Sequence, residues 1–262
     1  MNIADLAITS LETITAFDIL TGNFMFALDE LQNATISNTE EKQDITGKQG
    51  RKLTSLKRNK AATISGTNGL LSGGLLALQA GTSIEDKAVP VMWIDYLTIK
   101  SNKATTNYKA IGTTGAEIRS LYIRNADGTL GEAYTQNAEV GAKQFKYTPT
   151  SKELEFQTVD DGTEIVVCYE RKIQANTMEN MSDKYSGKCS LYVDALAEDR
   201  CGKVYRVQIH FPKADFSGEF SIEMGDNQAV HAFEAEALAG ACGGSAALWT
   251  YTVFGADAED AA

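Results

Sequence analysis

No run of about 18 apolar residues occurs in this chain, so no helical membrane span and no membrane insertion are expected. Proline is scarce, three in 262 residues, and no Gly/Ser-rich linker interrupts the sequence, so a single domain over 1-262 is expected. The opening MNIADLAITSLETITAFDIL lacks the basic and apolar regions of a signal peptide, which points to a chain made and used in a cytoplasm, or released from one by lysis. The four cysteines, Cys168, Cys189, Cys201 and Cys242, form no CxxC pair. Their gaps suit no zinc site, and free thiols are favoured over disulfides.

Catalytic signatures are equally sparse. The only histidines, His210 and His231, lie in strand-like runs beside no GxSxG motif. His231 with Glu234 and Glu236 could touch a metal, but surface side chains on an acidic strand fit the pattern better. Gly47-Lys48 and Gly187-Lys188 lack the remaining elements of a phosphate-binding loop, and Gly66-Thr67-Asn68-Gly69 opens no dinucleotide spacing. Asp160-Asp161 reads as a solvated turn. No catalytic residue, metal site or cofactor is expected.

Charge is what the sequence has in an uneven pattern. Net charge is -11, yet residues 47–60, GKQGRKLTSLKRNK, carry Lys48, Arg51, Lys52, Lys57, Arg58 and Lys60 without an acid. From Lys213 onward that lysine is the sole base against nine acids. Nucleic-acid surfaces combine bases with stacking aromatics or an overall basic field, and 47–60 has no aromatic. The stretch therefore reads as an extended arm, briefly anchored by Leu53 and Leu56, that meets acids on this chain or on a copy of it.

The second half alternates polar and apolar residues with period 2, punctuated by turns, as half-buried strands do. Residues 154–159 and 163–170 are expected to form a hairpin around Asp160-Asp161-Gly162, and 188–195 with 203–211 a second one. Further strands are expected at 216–224, 228–236 and 248–254, before a flexible acidic tail at 255–262. In the first half, 61–65, 92–99 and 116–124 suit strands. Thr67-Asn68 could cap a helix running through Leu78 to Gly81. Gly73 and Gly74 inside that helix imply close packing of another backbone. Trp93 and Trp249 sit in apolar strand patterns and read as core.

Several segments, taken in order, resemble the tail tube (major tail) proteins of tailed bacteriophages. They are Thr21-Gly22-Asn23-Phe24, 45–50 (ITGKQG), 60–69 (KAATISGTNG), 218–225 (GEFSIEMG), 233–237 (FEAEA) and 248–251 (LWTY). The likeness covers roughly 20–80 and 150–255; residues 100–145 match nothing in it and read as a family-specific elaboration. The resemblance implies a mainly β fold, a β-sandwich or barrel with a flanking helix. It implies no enzyme but a subunit of stacked, usually hexameric rings that pass DNA without binding it specifically. Its partners would be copies of itself and other phage tail proteins. The basic stretch falls where an arm to the neighbouring ring belongs, and Glu219, Glu223, Glu234 and Glu236 become candidates for lining the lumen. A head decoration protein and a glycan-binding β-sandwich are the competing readings.

Overall fold

The computed structural model describes residues 5–222, 230–239 and 246–255. Among them the fold is mainly β, with one α-helix and one short 3-10 turn. The first elements are β1 (Leu6–Asp18), β2 (Phe24–Leu28), β3 (Leu31–Thr46), β4 (Lys52–Asn68) and α1 (Gly73–Ala80). Then come β5 (Glu85–Thr98), β6 (Lys103–Thr105), β7 (Ile118–Arg124), β8 (Leu130–Gln136), β9 (Gln144–Thr148), β10 (Glu153–Phe156) and β11 (Glu164–Thr177). The chain closes with β12 (Lys188–Asp199), β13 (Val204–Phe216), β14 (His231–Ala237) and β15 (Thr250–Gly255).

Two compact units result, one of Met1–Ile84 with Met178–Ala262 and one of Glu85–Thr177. The second interrupts the first without any Pro- or Gly-rich linker. Its first strand, β5, and its last, β11, pair antiparallel along their whole length, and Glu85 stands opposite Thr177. An insertion whose two ends are neighbouring strand ends needs no linker. That is why composition betrays no boundary. Residues 100–145 fall wholly within it.

The first unit holds a sheet of order β2-β1-β12-β13-β14-β4-β3, with β15 also paired to β13. It curls enough to bring β1 beside β3. Strand β13 divides its second edge, giving Tyr205–His210 to β15 and Ala214–Phe216 to β14. Period-2 alternation puts Ile14, Ala16, Ile64, Leu191, Val193, Phe211, Phe233 and Ala235 on one face, where they form the core with Leu75 and Leu78 of α1. Cys189 lies in this core, and burial pushes its thiol pKa up to about 12. Cys168, Cys189 and Cys201 are free thiols; Cys242 lies outside the described residues.

The second unit holds a sheet of order β5-β11-β7-β8-β9-β10-β6 around Phe145, Tyr147, Leu154, Phe156, Ile165, Val167 and Tyr169. Asp95 is buried here. Its carboxylate accepts from Trp93 Nε1 (2.9 Å), Asn107 N (2.8 Å), Asn107 Nδ2 (2.6 Å) and Tyr169 Oη (2.7 Å). Four donors satisfy a charge that would otherwise be costly to bury.

Several sequence expectations are corrected. Asp160-Asp161-Gly162 does link two strands, but β10 pairs with β9 and β6 while β11 pairs with β5 and β7, so no hairpin forms there. The 188–211 hairpin does form, as β12 and β13. Strand β13 ends at Phe216, after which only Ile222 makes an isolated bridge to His231, so no strand spans 216–222; residues 223 and 224 lie outside the described residues. Helix α1 starts later than expected. Ser72, not Thr67 or Asn68, is its N-cap, because β4 continues through Asn68, while Gly81 (φ 66°) does close it. Gly73 and Gly74 therefore occupy its first turn.

Candidate functional site

Strands β3 and β4 form a hairpin much longer than the sheet that holds it. From Ala62 to Asn68, β4 lies between β3 and β14; from Ala61 outward its only partner among the described residues is β3. Residues 40–60 form a two-stranded ribbon, exposed on both faces except at Gly47 and Ser55. Seven residues of β3 beyond Thr39 carry it roughly 24 Å past the sheet at about 3.4 Å per residue. A β-bulge marks its base. Thr39 pairs with Ala61 and Glu41 with Arg58, so Asn59 and Lys60 together face Glu40, with Asn59 in the left-handed region (φ 52°). Such a bulge bends the strand and sharpens its twist where the ribbon leaves the sheet.

Three of the six bases meet acids of the preceding strand. Lys52 Nζ lies 2.7 Å from Asp44, Lys57 Nζ 2.8 Å from Glu40, and Arg58 Nε 3.7 Å from Glu41. Lys57 stands directly opposite Lys42 in register but turns diagonally to Glu40. The Lys57 hydrogen bond and charge hold Glu40 below the usual carboxylate range and raise Lys57 in return. Every member of these pairs is solvent-exposed, so they align the ribbon more than they stabilise the fold. Lys48, Arg51 and Lys60 have no ion pair among the described residues, and residues 39–60 carry seven bases against three acids. Ile45 and Leu53 beside the tip, and Leu56 opposite Gln43 midway along the ribbon, are 40, 68 and 53% exposed.

The acids expected to share a face are partly brought together. Glu234 and Glu236 alternate on β14 with buried Phe233, Ala235 and Ala237, and oppose Ser65 and Thr63 of β4. Glu219 is off any strand, in the segment after β13, but lines the same shallow depression as Glu234 and Ser65. Glu223 lies outside the described residues. His231 is corrected. It is fully buried beneath α1, with Nε2 2.8 Å from Gln79 Oε1, and burial lowers its pKa. Gly74 approaches β2 so closely that a Cβ there would lie 2.7 Å from Phe26 Cβ; at Gly73 it would meet only Ile84 Cδ1, at 3.0 Å.

Sequence inspection missed one cluster. Across β1, β12 and β13 lies an open hollow of about 730 Å³ lined by Phe17, Asp18, Ser190, Tyr192, Gln208 and His210, among others. Ser190 Oγ lies 2.9 Å from His210 Nε2, and Tyr192 stacks on the imidazole at 4.1 Å. Counting outward along the hairpin from the Asp199–Gly202 turn would have placed Tyr192 opposite His210. The nearby Asp194 carboxylate is engaged by Gln208 Nε2 at 2.9 Å, and no carboxylate contact to His210 occurs among the described residues. The pair thus lacks the orienting third group of a hydrolytic triad. Burial lowers the His210 pKa, which favours the neutral ring. No cluster of His, Cys, Asp or Glu among the described residues could hold a metal ion, and no described helix is long and apolar enough to cross a membrane.

The fold is thus a curled, mainly β unit with a charged projecting ribbon. Across residues 6–251 the chain matches the family model described as YomU/Tube protein family, and it belongs to that family. This membership is consistent with a phage tail tube protein, a structural component of the tail. No curated protein matches the chain.

Proposed function

We propose that this chain is the repeating subunit of a phage tail tube, without enzymatic activity. Copies join side by side into hexameric rings, the rings stack, and the genome passes through the lumen during delivery. Assembly takes place in the host cytoplasm and the product resides in the virion tail, beside other tail proteins. One observation carries this reading: the β3–β4 ribbon is exposed on both faces and carries three exposed apolar side chains, a costly extension for an isolated molecule. A second molecule gives it a surface to cover. The bases Lys48, Arg51, Lys52, Lys57, Arg58 and Lys60 then serve subunit contact, three of them after aligning the ribbon through its own acids.

Glu234, Glu236 and Glu219 suit a lumen wall. An acidic wall repels the phosphate backbone weakly and lets DNA slide, whereas a basic wall would grip it by counterion release. Glu223 belongs to the same proposal on its sequence position alone.

Negative-stain microscopy of the purified full chain at varied salt and concentration tests the reading. Tubes or six-fold rings are the expected result. Monodisperse single particles under every condition would sink it.

A further inference from the structure

The open hollow across β1, β12 and β13 lies within the first unit and is built by one chain. Its floor is aromatic. Phe17 meets Phe24 and Tyr192 edge to face at 6.1 and 5.7 Å, and Tyr192 stacks on His210, so a row of rings crosses four strands from β2 to β13. Ile19 and Pro212 extend the apolar wall.

Two acids stand apart along this floor. Asp18 lies opposite Cys189, whereas Asp194, five residues further along β12, lies opposite Thr13; at about 3.4 Å per residue the two are separated by roughly 17 Å along the strand. Each is held through one oxygen. Asp18 Oδ1 accepts from Thr21 N (2.7 Å), Thr21 Oγ1 (2.7 Å) and Leu20 N (3.0 Å), which hold its carboxyl below the usual range. Asp194 Oδ1 accepts from Gln208 Nε2. The second oxygen of each acid has no hydrogen-bond partner among the described residues, so both carboxylates are oriented and still able to accept.

No base answers them. Among the described residues no Lys or Arg lines the hollow, and burial favours the neutral form of His210. Lys188, Arg206 and Lys213 belong to the same strands but lie outside the lining, and Lys188 is paired with Asp215 at 3.5 Å. This field disfavours phosphates and other anions. A compact cation would meet one carboxylate and leave the rings uncovered. Acids set far apart over an aromatic floor match a long cation with hydrocarbon between its charges, because carboxylates take ammonium groups while rings attract cations and cover methylenes.

We propose that this hollow is a binding site for a linear polyamine, its end ammonium groups held by Asp18 and Asp194 and its methylenes laid over Phe17 and Tyr192. The inference goes beyond the tube reading and is independent of it, since binding is read per chain whether or not rings form.

Calorimetric titration of the full chain with spermine tests it, at physiological salt, where weak surface attraction is screened. The expected result is saturable binding at one site per chain, about tenfold tighter than putrescine, which is too short to reach both acids. Asp18→Asn and Asp194→Asn keep the oxygen that their neighbours hold. Each should weaken spermine about tenfold, the worth of one charge-assisted hydrogen bond. Glu132→Gln, which removes the same charge from the second unit, should leave binding unchanged. Thermal melts report whether each variant is folded, and the putrescine comparison on the unsubstituted chain needs no variant. Lack of saturable spermine binding, putrescine bound as tightly as spermine, or equal loss in Glu132→Gln would each overturn the proposal. So would saturable binding of maltose in place of spermine, which would reassign the hollow to a neutral saccharide.

Discussion

His231 Nε2 on β14 lies 2.8 Å from Gln79 Oε1 on α1, a fully buried pair that ties the helix to the sheet. Among the described residues His231 Nδ1 has no hydrogen-bond partner, nor does Oδ1 of Asn68, its neighbour in register on β4. Burial lowers the His231 pKa, so the folded chain holds the ring neutral. The unfolded chain binds the proton first as pH falls, so this contribution is complete above the unfolded value near 6.5 and is lost below it. His210 acts with the same sign. Thermal melts should show a falling Tm between pH 7.5 and 5.5, with a shallower slope in His231→Gln. An unchanged slope would assign the effect elsewhere.

The glycines of α1 should separate by substitution. Gly74→Ala drives a Cβ to 2.7 Å from Phe26 Cβ and 3.0 Å from the Met25 carbonyl, and should cost about 1–3 kcal/mol. Gly73→Ala meets only the end of the Ile84 side chain, which can turn aside, and should lie within about 0.5 kcal/mol of the parent. Denaturant unfolding of both variants checks the contrast.

Reversing Lys57, Arg58 and Lys60 to glutamate removes two of the ribbon's ion pairs and sets acids against Glu40 and Glu41. Exposed pairs are worth about 0–1 kcal/mol each, so the monomer should melt close to the parent. Assembly, followed by light scattering, should weaken most at low salt, where screening is least. Equal assembly at low salt would separate the basic charges from subunit contact.

Asp95→Ala strips the acceptor from Trp93, Asn107 and Tyr169 inside the second unit. Leaving several buried donors without a partner should cost about 3 kcal/mol or more. Hydrogen exchange would report it as lost protection across β5 and β11. Protection equal to the parent would mean that water replaces the carboxylate.

Local pattern made much of this legible. Alternation marked β12, β13 and β14 because a strand with one buried face must repeat every two residues. The arm drew notice in the sequence through its acid-free run of six bases, its two glycines and the spacing of Leu53 and Leu56. Pairing beyond the nearest turn was not: β10 and β11 follow each other along an Asp-Gly turn yet sit apart in the sheet, since strand partners are chosen by packing at long sequence separation. The burial of His231 escaped for a related reason. It alternates in phase with Phe233 and Ala235, the core side of β14, whereas the adjacent glutamates made the run look like surface.

The chain alone determined its β class, its charge asymmetry and the ribbon's place, because these follow from composition and from periods of a few residues. Only the tertiary structure decided that the insert enters and leaves through paired strands, that three of the six bases in 47–60 are matched by acids of the preceding strand, and that His231 is buried beneath α1. Those depend on register and close backbone approach, which join residues far apart in sequence and leave no local mark.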